Sequence, residues 1–214
     1  MLRSRPWSIA GSLVKQLVQD RGFTAAELTI GALFAMIVIG SLYGFFREQL
    51  YGLLSQEAKT ATLEDSRGAL DLMVREIRNA GGWSAGVIPS GCARIVEATA
   101  TRIRIQADLD GNGDCASVSG EDVLYELSGP TSTCPGTTIR RNGNCLVGNV
   151  LLAAGSDFLS YYGSGSTVPL THPITDFATV DRVKIIFSVQ AANPNPNAGG
   201  AIKSVLSSSI DFRN

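Results

Sequence analysis

From Leu28 to Phe46 the chain carries no charged residue, and only Thr29 and Ser41 are markedly polar. Such a run falls within the ~17 to 25 residues that cross a bilayer as a helix, and it is read as a membrane segment. The competing reading is a cleaved secretory signal, whose apolar core is shorter, ~7 to 15 residues, and ends in a small-x-small site. No convincing site of that kind follows the run. Arg3, Arg5, Lys15 and Arg21 against Asp20 give residues 1–22 about +3 and leave roughly −4 for the rest. Basic residues ahead of an apolar run stay in the cytoplasm and send the downstream chain across the membrane. With a formal net charge of −1 and scattered Lys and Arg, the chain offers no basic field for nucleic acid.

The four cysteines, Cys92, Cys115, Cys134 and Cys145, all lie beyond the span, and none forms a C-x-x-C pair of the zinc or redox kind. Two disulfides in an oxidising compartment are the simpler reading; buried free thiols, acting as small core hydrophobes, are the alternative. Three pairings are open. The sequential one, Cys92 with Cys115 and Cys134 with Cys145, closes the shortest loops and is preferred.

Helical periodicity continues past Arg47. Leu50, Leu54, Ala58 and Ala61, then Leu70, Met73, Val74, Ile77 and Ala80, recur at three- and four-residue spacing, which predicts one long amphipathic helix. Asn79-Ala80-Gly81-Gly82 supplies its stop. From Thr24 to Ala80 it would measure about 85 Å at ~1.5 Å per residue. From Trp83 onward the chain turns to short strand-like runs between Gly, Ser, Asn and Pro. Ile95–Ala98 and Thr101–Gln106 read as a hairpin; Asp122–Leu127, Phe158–Tyr162, Val183–Val189 and Ser204–Phe212 read as further strands. The expected fold is therefore α+β: a long N-terminal helix, transmembrane in its lower half, packed on a C-terminal antiparallel sheet.

Residues 21–28 read Arg-Gly-Phe-Thr-Ala-Ala-Glu-Leu directly before the apolar run. Here the chain resembles the type IV prepilin family. The resemblance implies a cut by the prepilin peptidase between Gly22 and Phe23, N-methylation of Phe23, and an assembly role for Glu27. Ala25 and Ala26 stand where the family more often has larger apolar residues, a departure that spares the cleavage residues. The implied organisation is a leader over 1–22, the transmembrane part of the helix over 23–46, a periplasmic amphipathic helix over 47–82 and a β-rich head over 83–214. Leu70-Asp71-Leu72-Met73-Val74-Arg75-Glu76-Ile77-Arg78-Asn79-Ala80-Gly81 is similar to the helix end of PilW-like minor pilins and of J-type pseudopilins of type II secretion. Asp211-Phe212-Arg213-Asn214 resembles the PilW-like carboxyl end.

Glu27 also has an argument of its own. An ionisable group in a membrane span costs about 2.5 to 3.5 kcal/mol at the centre on insertion scales, so it wants a partner. The amine freed at Phe23 by cleavage is one, and pairing Glu27 of one subunit with Phe23 of the next would set axial register. The bland alternative is that Glu27 snorkels to the headgroups. Gly40-x-x-x-Gly44 suits close helix approach in lipid, although glycine is also simply tolerated there.

Asp108, Asp110, Asn112 and Asp114 place oxygens on alternate residues, with Gly113 at the sixth position, as in loops that wrap calcium. Position twelve of that count is Ser119, with Glu121 and Asp122 just beyond, so an acidic turn is the competing reading. Catalysis finds no constellation: the one histidine, His172, precedes Pro173 with no nucleophile motif beside it and reads as a surface loop residue. The sequence thus predicts a minor type IV pilin that inserts into and helps initiate a pilus. It is no enzyme and requires no cofactor, with calcium the candidate ion. Expected partners are the prepilin peptidase, other pilins or pseudopilins, an inner-membrane assembly platform and membrane lipid. The expected location is the inner membrane, single-pass with the head in the periplasm, then the pilus or pseudopilus. The alternatives are a minor pseudopilin and an anchored calcium- or ligand-binding module that never polymerises.

Overall fold

The computed structural model describes residues 22–83, 86–132, 134, 136–196 and 199–212. The expected leader, apart from Gly22, and Arg213 and Asn214 of the closing segment lie outside the described residues. The chain divides between Leu50 and Tyr51 into two units.

Helix α1 runs Ala25–Asn79 and is the only long helix among the described residues. In the first unit every described residue is exposed, including Leu33, Phe34, Ile37 and Phe45 on different sides of the helix. This stretch is long and apolar enough to cross a membrane.

In the second unit α1 buries Ser66, Ala69, Leu70, Met73 and Ile77. Their spacing of three and four residues draws one stripe along the helix. The stripe starts later than periodicity predicts: Leu54 and Ala61 are exposed and Ala58 is half-buried. Ala58, Ala61, Thr62 and Asp65 instead line an open groove opposite Leu146 and Gln190, so this turn of helix is only partly covered. The helix closes at Asn79, at the start of the expected Asn79–Gly82 stop. Gly81 makes the exit at φ 78°, its N–H donating to Gln106 O at 2.9 Å. A Cβ there would come within 2.9 Å of the Arg94 side chain, so the turn needs glycine twice over.

The head contains two antiparallel sheets, where the sequence suggested one. Strands β1 (Ile95–Ala98), β2 (Arg102–Gln106), β3 (Asp122–Ser128), β4 (Thr138–Arg141) and β5 (Asn144–Val147) form a meander in chain order. The second sheet is built on β8 (Arg182–Ala191), which pairs with β6 (Val150–Leu151), β7 (Leu159–Tyr162) and β9 (Ile202–Asp211). A short 3-10 turn, Phe177–Thr179, precedes β8. The expected hairpin is β1–β2, joined through Thr99–Thr101, where Thr99 Oγ1 accepts from Arg102 N at 2.9 Å. The β4–β5 hairpin lies outside the expected strands, although Asn142 and Gly143, at φ 48° and 80°, form the Asn-Gly turn that strongly signals one.

Along β8, Val183, Ile185, Phe187, Val189 and Ala191 alternate inward. The first four join one core with Ile103, Ile105, Tyr125 and Ile139 of the first sheet and with Met73 and Ile77 of α1. Full burial of a side chain such as Met73 or Ile77 contributes about 1.5–3 kcal/mol. The disulfides join Cys92 to Cys115 and Cys134 to Cys145, the sequential pairing, with Cα–Cα distances of 5.9 and 6.1 Å. Each closes a loop whose constraint stabilises the fold by about 3 kcal/mol in the chain-entropy picture.

A polar clasp joins α1 to the first sheet. Arg141 donates from Nε and Nη2 to the two carboxylate oxygens of Glu76, at 2.9 and 2.8 Å, and the Tyr125 hydroxyl donates to the same carboxylate. Burial, reinforced by that carboxylate, pushes the Tyr125 phenol well above its ordinary range, so it stays a donor. Glu76→Ala leaves three donors, two from Arg141 and one from Tyr125, without this acceptor and should lower unfolding stability by about 1–3 kcal/mol. Urea denaturation of the detergent-solubilised chain measures this, and a change within error would show that the clasp is energetically idle.

Candidate functional site

The first candidate is the start of α1. Among the described residues nothing lies within 4 Å of an added Cβ at Gly22, and Phe23 is exposed. Thr24 and Glu27 cap the helix reciprocally: Glu27 N donates to Thr24 Oγ1 at 3.2 Å, while Thr24 N and Thr24 Oγ1 each donate to Glu27 Oε2 at 3.0 Å. This is a capping box, and its Thr-x-x-Glu signature is legible in the sequence. Glu27 therefore has a local role in closing the helix start. Both Thr24 donors lie on the C-terminal side of the Gly22–Phe23 bond, so a cut there leaves the box intact. Thr24 satisfies one carboxylate oxygen, and Glu27 remains fully able to accept a second donor at Oε1.

The span beyond the box is apolar all round. Among the described residues nothing lies within 4 Å of an added Cβ at Gly31, Gly40 or Gly44. The close approach inferred for Gly40 and Gly44 is thus available to a neighbouring helix and is not used among the described residues.

The second candidate is the loop between β2 and β3. Of the predicted ligands, Asp108 and Asp110 meet Glu121, their carboxylate oxygens lying within 4.8 Å of one another. Asn112 and Asp114 are taken into turns instead: Asn112 Oδ1 accepts from Asp114 N at 2.7 Å and Asp114 Oδ1 from Ala116 N at 3.1 Å. Asp108 accepts from Gly111 N at 2.8 Å and from Gly113 N at 3.3 Å. Glu121 is the residue that ties the loop together. It accepts from Leu109 N at 3.0 Å, Val118 N at 2.9 Å and Ser117 Oγ at 2.9 Å. These donors, Val118 N foremost, hold its carboxyl at about 2, far below the usual carboxylate range. Three carboxylates this close form an oxygen-rich set of the kind a hard cation takes, and the backbone donors stabilise the same charge without one.

The remaining candidates are structural. His172 is half-buried rather than a surface residue, set edge-on against the Tyr161 ring with centroids 5.5 Å apart. Its Nε2 lies 3.9 Å from Asp157 Oδ2. Tyr161 is in the core, its hydroxyl 3.1 Å from the carbonyls of Thr99 and Arg102. Tyr162 supports the Arg182 guanidinium, 5.0 Å above its ring.

The chain matches no protein-family model, no curated protein and no solved structure.

Glu121 generates a pH prediction. Its carboxyl titrates near ~4.3 when unfolded and about 2 when folded, so between these values the unfolded chain binds the extra proton. The stability Glu121 contributes is present above that window and is lost as pH falls through it. Glu121→Gln should flatten the pH dependence of melting between pH ~2 and ~4.5; an unchanged slope would show that other groups carry it.

Proposed function

We propose that the chain is a pilin-like subunit, most similar in role to a minor type IV pilin. On this reading it is a prepilin cut between Gly22 and Phe23, anchored once in the inner membrane by residues 23–46 of α1, with its disulfide-bonded head in the periplasm. The observation that carries the reading is the run from Leu28 to Phe46, exposed on every side of the helix, with Glu27 capped at its edge. A helix apolar all round needs lipid or other helices around it. Lipid covers it before assembly, and the helices of sister subunits cover it in a filament.

Glu27 gives that exchange a register. The amine made at Phe23 by cleavage is a cation at the edge of the span, and Glu27 Oε1 is the acceptor left over by the capping box. Pairing one subunit's Glu27 with the next subunit's Phe23 neutralises both as they leave the headgroups, at a position where an unpaired charge is costly. The chain then works by assembly, with no catalytic step. Its partners are the prepilin peptidase, the inner-membrane platform and other pilins, with membrane lipid as the resting environment.

A pseudopilin of type II secretion has the same N-terminal chemistry, and only the phenotype separates the two. Loss of piliation in a deletion strain supports the pilus, and loss of protein secretion supports the pseudopilus. Calcium is a subsidiary component, favoured by the meeting of Asp108, Asp110 and Glu121. Millimolar calcium should raise the melting temperature of the full chain and leave Glu121→Gln unmoved; indifference of both makes the loop an acidic turn.

Intact-mass and N-terminal analysis of protein from its native membrane is the primary test. The expected species begins at Phe23 and carries a methyl group on its amine. An intact Met1, or a cut beyond Phe46, would sink the reading. Glu27→Ala should be cleaved normally but fail to assemble, whereas normal function of that variant would leave a membrane-anchored module.

A further inference from the structure

Strand β9 is a long sheet edge without the usual protection. Phe212 N donates to Asp181 O at 3.0 Å, one step beyond the ladder in which Arg182 pairs with Asp211 and Ala191 with Ile202. Successive residues of an antiparallel strand turn their N–H and C=O to opposite sides. Ser204, Leu206, Ser208 and Ile210 therefore face β8, and the backbone groups of Lys203, Val205, Ser207, Ser209 and Asp211 face outward. Among the described residues nothing bonds their outer edge.

Sheet edges are normally short, bulged, charged or covered. At the other edges β1 has four residues and a register shift between Ile95 and Glu97, and β5 has four residues with Cys145 tethered by a disulfide. In contrast, β9 has ten residues in unbroken register and no charge or proline from Ser204 to Ile210.

We propose that this edge pairs with β9 of a second copy of the chain, antiparallel, about a two-fold axis at Ser207. The ends of the strand select that occupant. Lys203 and Asp211 have no ion-pair partner among the described residues. In this register Lys203 of each copy stands opposite Asp211 of the other, Val205 opposite Ser209, and Ser207 opposite itself. Every outward N–H and C=O between Lys203 and Asp211 then finds a partner. A slip of two residues sets Lys203 opposite Ser209 and leaves the charges unmatched. The axis stands normal to the sheet, so the paired copies point opposite ways along β9. This contact is separate from the helix-borne assembly proposed above and does not rest on it.

The test is sedimentation of the full chain in detergent. An edge-only contact covers less than a standard interface, so association in the roughly 10–100 µM range is expected. Lys203→Glu and Asp211→Lys each put like charges opposite and should weaken it about tenfold, and the double variant should restore it. Ser207→Pro removes only an outward N–H, spares the β8 ladder and should abolish the dimer with both disulfides and melting behaviour retained. A monomer at ~200 µM, or a dimer indifferent to Ser207→Pro and therefore held by α1, overturns the proposal. Loss in Ser207→Pro without a response to the charge swaps overturns this register.

Discussion

Burial of one helical stripe organises the second unit. Leu70, Met73 and Ile77 of α1 share a core with the inner faces of both sheets. Neither sheet could hide its apolar face alone, because a small antiparallel sheet needs a second layer to cover one side. The five-stranded meander and the sheet built on β8 meet through the stripe and through residues such as Tyr161, whose hydroxyl reaches the β1–β2 turn. The clasp of Glu76 with Arg141 and Tyr125 places a charged group at the margin of this contact and gives it full hydrogen bonding. Apolar burial supplies the free energy, and the clasp specifies which turn of helix meets which strand.

The same helix contains two opposite solutions to the problem of apolar surface. After Ser66 its apolar side chains are covered by the chain's own sheets; between Leu28 and Phe46 nothing among the described residues covers them. Backbone hydrogen bonding is helical in both stretches, so the difference lies in the environment each demands. The capping box at Thr24 and Glu27 closes the helix start with local donors. This matters where water is scarce and unsatisfied N–H groups are costly. A glutamate at this position is thus useful to the helix itself.

The loop between β2 and β3 illustrates how an acidic sequence can be folded by its own backbone. Asp108, Asp110, Asn112 and Asp114 each accept from amides two to five residues away, and Glu121 draws in donors from both ends of the loop. The Cys92–Cys115 disulfide ties the loop to the segment before β1. Charge is concentrated there because the backbone offers many donors at one place, which also makes the loop the region where a cation would find its oxygens ready.

The sequence alone determined the features that depend on local order. These are the apolar run, the helix and its stop at Gly81, the first hairpin, and the alternation that makes β8 and β9 strands, because hydrophobic period and turn chemistry are written in neighbouring residues. The Thr24–Glu27 box and the Asn142-Gly143 hairpin were equally local and equally legible. Tertiary structure alone decided the rest. It split the strands into two sheets, began the buried stripe at Ser66 rather than Leu50, brought Glu121 rather than Asp114 to Asp108, and set Glu76 against Arg141. These pairings join residues far apart in the chain. Which of several suitable acids or apolar positions is used depends on where the packed core leaves room, and that is a property of the whole fold rather than of any segment.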